Sequence, residues 1–319
     1  MTELIAEQQP AHPKRVGAVR RFARSVSLLR ESPVGMVGAF LVLFWIVMAL
    51  SAPILPIKPP LAQDQNAMLS PWLTQMPDGT MYWLGTDDRG RDLLSRLIWG
   101  SRLVLFWAGL ATIVAYLVGM LLGVTAGYRG GWWDEVISFL GNVLLSFPLM
   151  VLYLVILSRF GPSSELGHYL AVNLGLSPTV VSGVIIIVAV TFGTAPQVAR
   201  IVRGLVLDLK TRDYIAAAEV RGERPLYIMI VELLPNARGP LIVDACLRLG
   251  YVTITIALLG YLALGLPPPD PDWGKMISDA QKWGSTGMNA MLWPAFAISS
   301  LVLGLNLLAD GLREISLRD

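Results

Sequence analysis

Gly85-Thr86-Asp87-Asp88-Arg89-Gly90-Arg91-Asp92 has the outline of GxxxxGK[ST], a loop whose backbone N–H groups cradle phosphate. Its side chains are wrong for that chemistry. Arg91 stands where the phosphate-binding lysine belongs, and Asp92 stands where a hydroxyl would hold magnesium. Asp87 and Asp88 add two carboxylates that repel a polyphosphate, and no strand–loop–helix pattern surrounds the segment. Metal chemistry is no better supplied: the only histidines, His12 and His168, are far apart, and Cys246 is alone. Neither HExxH nor GxSxG occurs. The chain is therefore not expected to be an enzyme, to bind a metal or cofactor, or to hydrolyse ATP by itself. One cysteine also excludes an intrachain disulfide.

The remaining concentrated charge looks suited to binding. Residues 200–240 carry Arg200, Arg203, Lys210, Arg212, Arg221, Arg224 and Arg238, with uncharged apolar sequence on both sides. Asp213 is placed to cap a helix whose first turn is Tyr214, Ile215 and Ala216. Ala216, Ala217 and Ala218 combine strong helix propensity with almost no bulk. Gly222 should end that helix in a left-handed turn, and Pro225 fits the first turn of a second helix. The second helix carries Leu226, Ile228, Met229, Val231 and Leu234, and should stop near Leu234-Pro235-Asn236. Two short helices joined by a tight turn would lie across the membrane face and let another protein's backbone come close. The plainer alternative is an ordinary inter-helix loop.

The elements that must position this loop are membrane spans. Hydrophobic residues make up 54% of the chain and charged residues 15%, with a mean hydropathy of +0.59; soluble domains run near 25% charged. Stretches at about 34–55, 103–127, 136–158, 179–199, 240–264 and 291–309 are each long enough to cross a bilayer, predicting an all-α protein of six transmembrane helices. An even number of spans puts both termini on one side. Lys14, Arg15, Arg20, Arg21, Arg24 and Arg30 precede the first span, so the positive-inside rule places residues 1–33, the C-terminus and the 200–239 loop in the cytoplasm. Residues 20–29 could form a short surface helix. No cleavable signal is evident, since the first apolar run follows some thirty polar residues. The segment at about 57–102 then falls outside, against the rule, because it holds Arg89, Arg91, Arg96 and Arg102; Asp87, Asp88 and Asp92 offset part of that charge.

Several residues within or beside the spans invite a role. Gly119, Gly123 and Gly127 form a stripe at four-residue spacing that would let two helices approach closely. Pro148, after Phe147, should kink the third span. Asn142 in the same span could hydrogen-bond another helix or line a substrate path. Asp244 and Arg248 share one helix face as a pair of structural type. Trp273 and Trp283 are placed to anchor a loop at the outer interface.

The segment LGTDDRGRDLLSRLIWGSRL, the run RDYIAAAEVRG…ELLPN and the turn GYLALGLPPPDPDWGKM together resemble ABC importer permeases of the dipeptide/oligopeptide/nickel family, specifically the C-type subunit. The likeness extends from about Gly35 to Arg313. It implies a type I importer permease (MetI-like) architecture in the cell inner membrane, with residues 34–319 as the permease domain. In that family the loop containing Asp213, Tyr214, Ala216, Ala217, Ala218, Arg221, Gly222, Leu234 and Pro235 is the coupling helix that sits in a cleft of an ATPase subunit. The family usually has Glu at Ala216 and commonly His at Glu232, so docking here would rest more on shape and basic residues. The family often shows Asp near the position of Asn142, followed by the same Phe-Pro pair, so Asn142, Phe147 and Pro148 are the candidates for a substrate path, with a helix–helix hydrogen bond as the other reading of Asn142. The implied partners are a second homologous permease, two ATPase subunits that hold ATP and magnesium, an extracytoplasmic solute-binding protein and membrane lipid; nucleic acid is not expected. An ion-gradient-driven secondary transporter is the rival class. It would need inverted repeats and midplane acids, and the sequence offers no convincing repeat.

Overall fold

The computed structural model describes residues 32–161 and 164–316. The N-terminal basic cluster, the helix expected over 20–29 and Arg318 lie outside the described residues. Helix α1 (Pro33–Ser51) begins where Ser32 Oγ accepts from the Gly35 N–H at 3.3 Å and Pro33 occupies the first turn. Helix α2 (Leu93–Arg129) starts at Asp92, whose carboxylate accepts from the Ser95 N–H at 3.2 Å. Its 37 residues extend about 55 Å, well beyond a bilayer core. The expected start at 103 was too late because Ser95 and Arg96 continue the helix while buried in protein.

The third span departs most from expectation. It is two helices, α3 (Gly131–Ser146) and α4 (Leu149–Phe160), bent by 87°. Pro148 disfavours α geometry at the residue before it, and Phe147 is extended at φ −81, ψ 138, so the feature is a break and not a kink. The described residues contain five helices long and apolar enough to span, or six if the bent pair counts as one. A short helix α5 (Glu165–Asn173) leads to α6 (Pro178–Leu209), which carries Arg200 and Arg203 inside the helix and so shortens the expected loop. Helices α7 (Asp213–Val220) and α8 (Pro225–Asn236) follow, then α9 (Arg238–Tyr261), α10 (Trp273–Gln281) and α11 (Met288–Ser316).

Helices α2 and α6 form the central parallel pair. A Cβ on Gly119 would lie 2.6 Å from Val198 Cβ, one on Gly123 2.5 Å from Ala199 O, and one on Gly127 2.8 Å from Val206 Cβ. The glycine stripe thus sets the helix separation, as its spacing predicted. Trp107, Ile186 and Ile256 anchor one core cluster, joining α2, α6 and α9 with Tyr153 of α4. Trp45, Leu97, Trp273 and Leu301 anchor another. Trp273 is fully buried and donates from Nε1 to Leu97 O at 3.1 Å, so it is a core residue and not the interface anchor expected. Trp283 is exposed.

Between α1 and α2 lies a compact polar segment with a small hairpin, β1 (Thr74–Gln75) against β2 (Met81–Tyr82), pairing Thr74 with Tyr82. The near-miss phosphate loop is a buried ion network. Asp87 Oδ2 meets Arg91 Nε at 2.7 Å and Arg96 Nε at 3.4 Å. Gly90 has φ +69, and a Cβ there would lie 1.8 Å from Asp64 O.

Candidate functional site

The α7–α8 unit is built by local backbone chemistry. Arg212, extended at φ −81 and ψ 146, occupies the cap position, and Asp213 is the first helical residue with no side-chain cap bond. Asp213 was expected one position earlier in that role; as an acid in the first turn it still complements the helix dipole. Helix α7 ends in a Schellman pair: the Gly222 N–H donates to Glu219 O at 2.9 Å and the Glu223 N–H to Ala218 O at 3.2 Å. Gly222 has φ +75. Pro225 then starts α8, whose middle, Ile228–Leu233, is a π-helical stretch. The Leu234 N–H bonds back to Met229 O, five residues away. This wider turn sits just before Pro235, whose ring would crowd the carbonyl four residues earlier in an α-helix.

One face of the unit is locked down. Ile215 and Ala218 of α7, with Ile228, Met229 and Leu233 of α8, are buried against Val198, Val202 and Val206 of α6 and Val124 of α2. The opposite face is bare: Ala216 and Ala217 are exposed, as are Val220, Leu226, Ile230 and Val231, with Val220 89% exposed. Leu234 is half-buried and Pro235 exposed. Arg221 is exposed and pairs loosely with Glu223 and Glu232, each at 3.8 Å. Tyr214 is half-buried, and burial, the largest cause, raises its phenol pKa. The residues proposed from sequence for the loop therefore fall on one element, with Ala218 on its inner side and the others at or near its surface.

The substrate-path residues are brought together less completely. Asn142 lines a cavity of about 490 Å³ between α2, α3 and α6, walled by Leu122, Ile137, Leu140, Leu144 and Leu145 and floored by Pro196, Arg200 and Arg203. Phe147 and Pro148 are exposed at the α3–α4 break and do not line it. Arg203 forms a two-pronged bond with Asp134, with Nη2 to Oδ2 at 2.6 Å. Neither Asp134 nor this pairing, which joins positions 69 apart, was legible from local spacing. A further polar group ties the spans together. Tyr116 donates to Leu241 O at 2.8 Å and Asp244 Oδ2 at 3.2 Å, while Arg248 bridges Asp244, at 3.4 Å, and Gln197. The Asp244–Arg248 pair thus has the structural role its spacing suggested.

Residues 119–319 match the family described as binding-protein-dependent transport system inner membrane component. The chain is 31% identical to the dipeptide transport system permease protein DppC of Alkalihalophilus pseudofirmus, over 93% of this chain and 90% of that protein. It is 35% identical to DppC of Escherichia coli (strain K12), over 88% of this chain and 86% of that one. It is 34% identical to the glutathione transport system permease protein GsiD of Pectobacterium atrosepticum, over 73% and 71% respectively. With this match and these multiple apolar helices, the chain belongs to the binding-protein-dependent inner-membrane family: it is a multi-pass ABC importer permease with the type I, MetI-like fold.

Proposed function

We propose that this chain forms one half of the membrane passage of an ATP-driven importer of di- or oligopeptides. Its partner across the passage is a second homologous permease. Two ATPase subunits dock on the permeases from the cytoplasm and hold ATP and magnesium, while an extracytoplasmic solute-binding protein delivers substrate. Both termini and α7–α8 face the cytoplasm, and the segment at about 57–102 faces outward. The relatives named for dipeptide and glutathione transport support the substrate class.

The observation that carries the reading is the two-sided character of α7–α8. One side is seated on the α2–α6 pair, and the other presents small and apolar residues that nothing among the described residues covers. A rigid body of this kind can transmit a partner's motion into the spans. To swing the passage from 1:99 to 99:1, the driven partner must favour one state by about 5.5 kcal/mol. The residues assigned to this task are Asp213, Tyr214, Ala216, Ala217, Arg221, Gly222, Leu234 and Pro235 on the docking side, with Ala218, buried against the spans, seating the unit.

The direct test is Ala217→Arg. Position 217 is exposed, so folding stability should change by less than about 0.5 kcal/mol. A long cation on the small-residue face should nevertheless abolish peptide uptake and the ATPase polypeptides' co-purification with the chain. Full uptake at equal membrane level would remove the docking role. Recovery of the chain without ATPases, together with ion-gradient-driven uptake in vesicles, would transfer it to the secondary transporters.

A further inference from the structure

Two arginines line the α2–α3–α6 cavity, and they are in different electrical states. Arg203 is neutralised by Asp134, whose Oδ1 also accepts from Ser138 Oγ at 3.1 Å. Arg200, one turn earlier on α6, donates from Nη2 to the neutral Asn142 Oδ1 at 3.0 Å and forms no ion pair among the described residues. A guanidinium has five N–H donors, and this contact uses one. The Asn142 amide nitrogen has none of the hydrogen bonds found among the described residues. The remaining walls are largely leucine and isoleucine. Arg200 and Asn142 are both exposed at the mouth of this cavity, so the free donors of the guanidinium can be reached by an anion of modest size.

We infer that Arg200 and Asn142 form a carboxylate station of the permease, a place where the C-terminal carboxylate of a translocating peptide pauses. The inference rests on the peptide-import reading above. Carboxylate and guanidinium match as a planar two-pronged pair, which fixes orientation as well as charge. A cavity of about 490 Å³ is within the range that holds small ligands. The chemistry also suits a carrier that must pass many sequences. Every unmodified peptide ends in a carboxylate, whatever its side chains, and walls such as Leu140 and Leu144 accept varied side chains without selecting one. Ionisable groups inside spans characteristically mark substrate pathways.

The test uses the complete importer in membrane vesicles, with Cys246→Ser and a reporter cysteine, Leu145→Cys, on the cavity wall. The rate of maleimide labelling is measured with a dipeptide bearing a free C-terminus and with the same dipeptide amidated. The free form should slow labelling and the amide should not. Arg200→Gln should weaken that protection by about tenfold to a hundredfold, the loss expected for a charge-assisted bond, and Arg200→Lys should retain part of it. Equal protection by acid and amide overturns the station on the unaltered Arg200 background, with no need for any Arg200 variant to assemble. So does protection that survives Arg200→Gln, or protection given by an anionic phospholipid and not by peptide. Parent uptake separates the two readings. If the parent imports dipeptide but labelling never responds, only the station falls; if the parent imports no peptide, the substrate class falls with it.

Discussion

The segment between α1 and α2 and the α7–α8 unit are both charged interruptions of apolar sequence, yet they dispose of their charge in opposite ways. In the first, Arg91 and Arg96 are only 7% and 4% exposed and share Asp87. In the second, Arg212 and Arg221 are 59% and 54% exposed, and their carboxylate partners are 3.4 and 3.8 Å away. Sequence composition makes the two stretches look alike. The difference is whether each cation was desolvated during folding. Buried charge with a fixed partner is architecture; solvated charge with a loose partner remains free for another molecule. The network takes Arg91 and Arg96 out of the free positive charge of this segment, while Arg89 and Arg102 are not held by Asp87.

The sharpest way to break this comparison is Asp87→Ala. It leaves two buried guanidinium groups without their shared carboxylate, and removing one partner of a buried pair costs about 3–5 kcal/mol. Thermal unfolding in detergent should show the loss, along with low membrane abundance. An Asp87→Ala protein as stable as the parent would mean that the network is solvated after all.

Next in size is a pH effect at the same end of the molecule. Asp272 caps α10, accepting from the Lys275 N–H at 3.0 Å and the Leu266 N–H at 3.4 Å. Burial pushes its carboxyl up from 3.8 to about 6, even though these amides pull the other way. Below 3.8 the folded and unfolded chains both hold the proton. Between 3.8 and about 6 only the folded chain does, so stability falls as pH rises through this window, by about 3 kcal/mol in all, and stays lower above it. Asp272→Asn keeps a capping oxygen and removes the titration. The variant should flatten that part of the stability profile, although its amide nitrogen replaces the oxygen that accepts from the Leu266 N–H and so forfeits that bond at every pH; an unchanged profile would show that Asp272 is not the group responsible.

What the sequence made legible was chemistry confined to a few neighbouring residues. Gly222, Pro225 and the Gly119–Gly123–Gly127 stripe announce backbone conformation or helix approach directly, and each is found in its expected role. The effect of Pro148 was legible in kind but not in extent: the proline dictates an extended Phe147, while tertiary packing sets the 87° between α3 and α4. Trp273 was misread because a tryptophan near a span end suits an interface equally well; only the arrival of Leu97 and Trp45 from other helices buries it. The α2–α3–α6 cavity was legible only at Asn142, since Arg200 and Arg203 read as loop residues until α6 was seen to continue to Leu209.

Two of the left-handed glycines, one from each region, test the comparison at smaller scale. Gly90 and Gly222 have φ +69 and +75, but an added Cβ meets Asp64 O at 1.8 Å in the first and open space in the second. Asparagine tolerates this backbone region better than other residues. Gly90→Asn should therefore cost about 1–3 kcal/mol from overpacking. Gly222→Asn should cost well under 1 kcal/mol, and Gly222→Val about 1–2 kcal/mol from backbone strain alone. Denaturant or thermal midpoints of the variants in parallel would check the ranking. Equal costs for the two asparagines would show that the segment between α1 and α2 is as loosely packed as the α7–α8 turn.

The smallest stability effect is the most informative about function. Arg221→Ala removes contacts at 3.8 Å to Glu223 and Glu232 from a side chain 54% exposed. Exposed pairs contribute about 0–1 kcal/mol, and pairs this long fall at the low end, so the unfolding midpoint should barely move. Glu232 would then lose its cationic neighbour on the surface that the ATPase is proposed to meet. Uptake should fall even though the fold is untouched, and the loss should shrink in high salt if long-range attraction to an acidic cleft contributes. Comparing Arg221→Ala with Asp87→Ala separates the two uses of charge: one variant should lose stability and lose transport only through low abundance, the other should lose transport at full abundance. If Arg221→Ala instead lowers stability by 2 kcal/mol or more, well above what exposed pairs supply, its cation belongs to the architecture and the contrast between the two regions collapses.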